Sequence, residues 1–110
     1  MTGEPSYFEI GVPDPDRAQA FYGSLFGWTF EETGFGARIA TAGVPGGCHP
    51  DEPGMQIFFS VPDIDDAVRR VVELGGEVDE GSSESASGRF VYSCRDDQGV
   101  PFGLHQPTTS

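Results

Sequence analysis

Hydrophobic positions along the chain switch between a period of two and a period near 3.6, and the switches divide it into short elements. Residues 7–12, YFEIGV, are rich in aromatic and β-branched side chains and predict a strand. Phe8, Ile10 and Val12 share one face of it; Tyr7, Glu9 and Gly11 share the other. Ala18, Phe21, Tyr22 and Leu25 then follow the i, i+3, i+4, i+7 spacing of an amphipathic helix. Asp14 is placed to cap it, with Pro15 at the first helical position, Asp16 in the first turn and Gly27 as its stop. Strands are predicted over 28–32 and 37–42. The glycine- and proline-rich 44–48 reads as a turn into a short fourth strand, and 49–54, with two prolines, as a linker.

The second half repeats the plan. A strand over 56–61 precedes Asp63 as N-cap, Asp65 and Asp66 in the first turn, and an apolar stripe of Ala67, Val68, Val71 and Leu74 that ends at Gly75-Gly76. Further strands are predicted from 77 to 79, 90 to 94 and 100 to 105. GSSESASG (81–88) reads as a flexible loop, 96–99 as a turn, and the tail HQPTTS as frayed. VPDPD at 12–16 and VPDID at 61–65 lie 49 positions apart, and the same offset aligns Ala18 with Ala67, Leu25 with Leu74 and Gly27 with Gly76. These matches fall at strand ends, helix starts and helix stops, so the repeat is one of structure. Each half reads βαβββ, the first over about 5–49 and the second over about 55–106. One half alone leaves its sheet small and half uncovered. The expected fold is therefore α+β: a single 1–110 domain of two tandem βαβββ modules. Together they would form one curved, mostly antiparallel eight-stranded sheet, with a concave cleft and helices on the outer face.

Charge narrows the partners. The formal net charge is −12, from 18 acidic residues against 6 arginines and no lysine. Such a surface repels phosphate backbones and anionic lipid, which argues against nucleic-acid and membrane roles, while a cationic small molecule would be attracted. No stretch approaches the roughly 20 apolar residues of a membrane span. MTGEPSYF lacks the basic-then-apolar layout of a signal peptide, so a cytoplasmic location is expected. Cys48 and Cys94 form no CxxC and are expected as free thiols.

Three stretches carry a resemblance: YFEIGVPDPDRAQAFYGSLFGW, QIFFSVPDIDDAVRRVVELGG and RDDQGVPFGLHQ. Through them the chain, from about Tyr7 to Gln106, resembles the vicinal oxygen chelate superfamily. That group includes glyoxalase I, bleomycin-resistance proteins, fosfomycin-resistance enzymes and extradiol dioxygenases. The resemblance implies the paired βαβββ fold and a homodimer. It also implies a divalent ion held by a His or Gln on the first strand, often a Glu later in the first module, a His on the fifth strand and a Glu on the eighth. In this sequence those positions fall at Tyr7, within 46–49, at Gln56 and at Gly103. A phenol is a poor ligand unless ionised and glycine offers no donor, so the usual ion is expected to be absent.

With those ligands replaced, the cleft face is expected to carry Tyr7, Glu9, Gln56, Phe58, Ser60 and His105, aromatic walls with a few polar groups suited to a small organic molecule. Glu9 can act as a general base or as counter-charge to a cation, and His105 as a proton shuttle; both can instead be structural, with Glu9 paired to an arginine such as Arg38. His49 is expected in an exposed linker. The leading expectation is a metal-independent, bleomycin-resistance-like protein that binds a small molecule. One alternative is a lyase, isomerase or dioxygenase with a shifted metal site built from His105, Glu9 and Gln56, with His49 as a further donor. Another is a metal-free proton-transfer enzyme using Glu9 and His105, and a third a regulatory or assembly module. The capping aspartates are assigned no chemistry, because helix starts account for their spacing.

Overall fold

The computed structural model describes residues 3–34, 36–79, 83–85 and 88–108. It divides into two compact units: residues 7–56, and residues 57–108 together with 3–6. The N-terminal residues join the second unit through hydrogen bonds between Gly3 and Ser60 and between Ser60 and Glu4. In chain order the elements are β1 (Pro5–Val12), α1 (Pro15–Phe26), β2 (Thr29–Glu32), β3 (Ala37–Ala40) and β4 (Gly46–Pro50). They continue with β5 (Gly54–Ser60), α2 (Ile64–Glu73), β6 (Glu77–Val78), β7 (Ser83–Ser85), β8 (Gly88–Arg95) and β9 (Pro101–Pro107). The fold is α+β, built from two βαβββ modules with the short β7 added to the second. No described helix is long and apolar enough to cross a membrane.

In the first unit the strands run in the order β2-β3-β4-β1, antiparallel except that β4 closes parallel onto β1. Ile10, Ala18, Ala37, Ile39 and Cys48 form the core, with Phe8, Val12, Tyr22, Trp28 and Phe30 packed against it. Burial of a side chain such as Ile10 or Ile39 contributes about 1.5–3 kcal/mol. The second unit repeats the layout as β5-β9-β8-β6, with β7 beside β8 and β9 parallel to β5. Its core is Val61, Ile64, Val91, Cys94 and Leu104 under the inner face of α2.

Both helices start as their sequences require. The Asp14 carboxylate accepts from the N–H groups of Asp16 and Arg17, and the Asp63 carboxylate accepts from those of Asp65 and Asp66. These side chains satisfy donors that a helix start otherwise leaves unpaired.

Four expectations are corrected. Phe21 and Leu25 stand exposed at 61% and 59%, so Ala18 and Tyr22 anchor α1; Leu74 is exposed too, and Ile64, one residue after the cap, is the fully buried anchor of α2. His49 lies within β4 rather than in a linker, since the strand runs on to Pro50. Residues 83–85 pair with β8, so part of the serine-rich stretch is strand; Gly81, Ser82, Ala86 and Ser87 lie outside the described residues. Gln106 and Pro107, placed in the tail by sequence, belong with His105 to β9, where Gln106 Oε1 accepts from the Ile64 N–H; Thr109 and Ser110 lie outside the described residues. Cys48 and Cys94 are free and buried, and burial pushes the Cys94 thiol up to about 11.

Asp14→Ala and Asp63→Ala are each expected to lower stability by about 1 kcal/mol. Urea unfolding followed by circular dichroism, with an unchanged m-value, checks both.

Candidate functional site

The parallel closure of β4 on β1 sets Glu9 opposite Gly47 and Gly11 opposite His49. Any β-carbon at Gly47 would lie 2.6 Å from Glu9 Oε1 and 2.7 Å from the Tyr7 hydroxyl. The missing side chain is therefore what lets Tyr7 and Glu9 lean together across β4. Tyr7 donates its hydroxyl to the Glu9 carboxylate. Glu9 Oε2 is 2.9 Å from His49 Nδ1, and His49 Nε2 is 3.2 Å from Asp51 Oδ2. The turn after β4 carries Asp51 back to this point: its N–H donates to the Val12 carbonyl, and its Oδ1 accepts from the Glu52 N–H. The result is an imidazole held between two carboxylates.

The two acids sit in opposite environments. Burial pushes the Glu9 carboxyl above its ordinary value, against the pull of the His49 contact and the Tyr7 hydroxyl. The Glu52 N–H, and after it His49, hold the exposed Asp51 below its ordinary value. Burial, and the Glu9 charge after it, raise the neighbouring Cys48 thiol. Arg38, expected as a partner of Glu9, pairs with Glu31 at 3.0 Å instead, because adjacent register on β2 and β3 sets those two side by side.

In the second unit β5 and β9 set Phe58 opposite Gly103 and Ser60 opposite His105. By the internal repeat, Phe58, Gly103 and His105 stand where Glu9, Gly47 and His49 stand in the first unit. A β-carbon at Gly103 would lie 2.2 to 2.7 Å from atoms of the Phe58 ring, so that ring fills the room above the glycine. Phe58 packs edge-on against Phe90 and Tyr92, and His105 stacks on Phe90 with ring centres 4.4 Å apart and planes 4° apart. His105 Nδ1 lies 2.8 Å from Ser6 Oγ.

The residues expected in the site thus fall in two sets. Tyr7, Glu9 and Gln56 are partly buried members of the first unit. Phe58, Ser60 and His105 are buried in the second, at 0%, 7% and 6% exposure. His49 and Asp51 belong with Glu9, yet sequence reasoning set His49 aside as a linker residue. The signal was available in outline: GGCHP matches the strand-closing position of FGLHQ, with a glycine two residues before each histidine. Among the described residues no group of three or more His, Cys, Asp and Glu side chains is arranged to hold a metal ion. Glu9, His49 and Asp51 do not qualify, since each acid points at the ring between them rather than at a shared point.

Comparison with known proteins agrees with this architecture. The glyoxalase-like domain family matches residues 7–105, and the chain belongs to that family, within the vicinal oxygen chelate superfamily. A glyoxylase-like domain-containing protein of Didymella fabae is 29% identical, over 70% of this chain and 72% of its own length. The putative glyoxylase CFP32 of Mycobacterium bovis is 28% identical over 94% of this chain, which spans only 46% of that relative's length. Methylmalonyl-CoA epimerase from Mycobacterium tuberculosis shares the fold, with a TM-score of 0.69 and 22% identity over 97% of this chain and 89% of its own.

Gly103→Ala is expected to cost about 1–3 kcal/mol by forcing the Phe58 ring aside; the urea midpoint reads it directly. For Glu9 the sign follows from its raised value. The fold favours its protonated form, so its stabilising contribution is complete below the ordinary glutamate range and is lost as pH rises through the raised value. The stability difference between wild type and Glu9→Gln should accordingly shift against the wild type as pH is raised from 4 through neutrality.

Proposed function

We propose that the chain is a glyoxalase-like protein that binds a small organic molecule through Tyr7, Glu9 and Gln56, without the divalent ion usual in its superfamily. The observation that carries this reading is the Tyr7–Glu9–His49 cluster gathered over Gly47. Where the superfamily places metal ligands, this chain has a phenol already bonded to Glu9, a glycine roofed by those two side chains, and at Gly103 a glycine roofed by the Phe58 ring. Those residues do not fit a divalent ion, which needs several unencumbered donors aimed at one point. They do fit an organic ligand, for which an aromatic hydroxyl and a partly buried carboxylate supply orientation and charge recognition. Phe58, Ser60 and His105 are left out of the binding set because they are buried. The net charge of −12 favours cationic ligands by long-range attraction.

A second reading is favoured by the 2.9 Å Glu9–His49 contact. A carboxylate with a raised pKa, backed by an imidazole, is equipped for metal-free proton transfer. The role of proton shuttle, expected of His105, passes in this reading to His49. The glyoxylase name of the mycobacterial relative is compatible with such chemistry.

Isothermal calorimetry against cationic glycopeptides and small metabolites tests the binding reading. At least one panel member is expected to bind, with a loss of affinity of about tenfold or more in Glu9→Gln, the order of effect for a charge-assisted contact. Silence across the panel counts against it. Elemental analysis of protein purified without chelator is expected to give no stoichiometric Ni, Zn, Mn or Fe; a one-to-one signal overturns the metal-independent part.

A further inference from the structure

We propose that Glu9, His49 and Asp51 form a proton relay in which Glu9 is the ligand-facing acid–base group, His49 the carrier and Asp51 the outlet to water. The inference rests on the reading that a ligand meets the Tyr7–Glu9 edge, and adds how a proton leaves it.

The geometry is graded from inside to outside. Side-chain exposure rises from 14% at Glu9 to 30% at His49 and 60% at Asp51, along contacts of 2.9 and 3.2 Å. Two glycines build this line. Gly47 makes room for the Glu9 carboxylate beside Tyr7. Gly11 makes room for the returning turn, because a β-carbon there would lie 2.9 Å from the Glu52 carbonyl oxygen and 3.0 Å from Asp51 Cβ. Neither position tolerates a side chain without moving one end of the relay.

Proton positions follow from the chemistry of the donors. An imidazole between two carboxylates satisfies both contacts only if each contact contains a proton. Asp51, ionised under the Glu52 N–H, takes the Nε2–H and fixes that tautomer; Nδ1 and Glu9 Oε2 share the other proton. The remaining groups around the pair are the Tyr7 hydroxyl on β1, the Cys48 thiol on β4, and Arg38 on β3, whose charge is committed to Glu31. When the shared proton sits on Nδ1, Glu9 is free to take one from a bound weak acid. The ligand's bond to hydrogen breaks and its electron pair stays on the ligand. The surplus proton leaves from Nε2 through Asp51 to water, which leaves one proton on Glu9 and one on Nδ1. The starting arrangement returns when Glu9 gives its proton to the converted ligand and water returns one to Nε2 along the same line. The class of ligand served is a small weak acid whose conversion moves one proton, with no oxidant and no transferred group. His49 and Asp51 are positioning residues in this scheme.

Nitrogen-15 NMR of the histidine rings tests the relay with no ligand present. His105, stacked on Phe90, is the internal reference. In the wild type, His49 is expected to hold a proton on Nε2 and to show an intermediate Nδ1 shift, the mark of a shared proton. Glu9→Gln should abolish the intermediate Nδ1 shift, and Asp51→Ala should release the fixed tautomer. Gly11→Ala, which removes no ionisable group, should reproduce the Asp51→Ala pattern, with circular dichroism confirming that each variant folds. Identical His49 signals in wild type, Glu9→Gln and Asp51→Ala would overturn the relay and leave the binding reading intact. A silent calorimetry panel alongside the expected histidine signals would instead count against the binding reading, and with it the relay's role for a ligand, while leaving the shared proton itself established.

Discussion

Each module is governed by one steric condition: where its last strand lies parallel to its first, the side chain of the first strand needs the space a β-carbon would occupy on the last. Gly47 under Glu9 and Gly103 under Phe58 meet that condition in the two units. Close approach of this kind is among the few strand positions where glycine gains more than it loses in stiffness and packing. The same spot is where a vicinal oxygen chelate enzyme would seat a metal ligand. In this chain a leaning side chain occupies that space in both units.

The two units spend it differently. In the first, a polar set occupies the position: phenol, carboxylate, imidazole and a second carboxylate, each bonded to the next. In the second, the corresponding residues make an aromatic stack, with Phe58, Phe90, Tyr92 and His105 in edge-on and parallel contacts. Edge-to-face and offset ring pairs add stability beyond the area they bury, so the second unit's set is a packing element, whereas the first unit's is a line of hydrogen bonds. Even the two histidines, equivalent by the repeat, have divided these roles. His49 lies between two acids, while His105 is buried against a ring and a serine.

Electrostatics sharpen the contrast. With 18 acidic residues, most carboxylates sit on the surface, many paired with arginines, such as Asp65 with Arg89 and Glu77 and Asp79 with Arg95. Exposed pairs of this sort contribute little individually. Glu9 departs from that pattern. It is drawn into the fold, where burial raises its carboxyl above the ordinary value, and it is answered by an imidazole instead of a guanidinium.

The local grammar of the chain was legible from the residues. Asp14 and Asp63 capped helices as their spacing required, and Phe8, Ile10 and Val12 faced the core because side-chain alternation leaves no other choice. The 49-residue offset revealed the paired modules, and the family followed from whole stretches of matching residues. Offsets and periods, however, carry no information on where one strand's side chains meet another's. Phe21 and Leu25 fitted a helical stripe yet stayed outside, since what decides burial is the surface a helix lands on. His49 read as linker because Pro50 and Pro53 follow it; only the parallel register of β4 on β1 extended the strand and turned its ring toward Glu9. Sequence alone settled where the helices start and stop and how the side chains of β1 alternate, because those follow from neighbours a few positions away. Tertiary structure alone settled that Glu9, His49 and Asp51 share a line of contacts, because Glu9 and its partner histidine lie 40 positions apart and meet through strand pairing that no local pattern encodes.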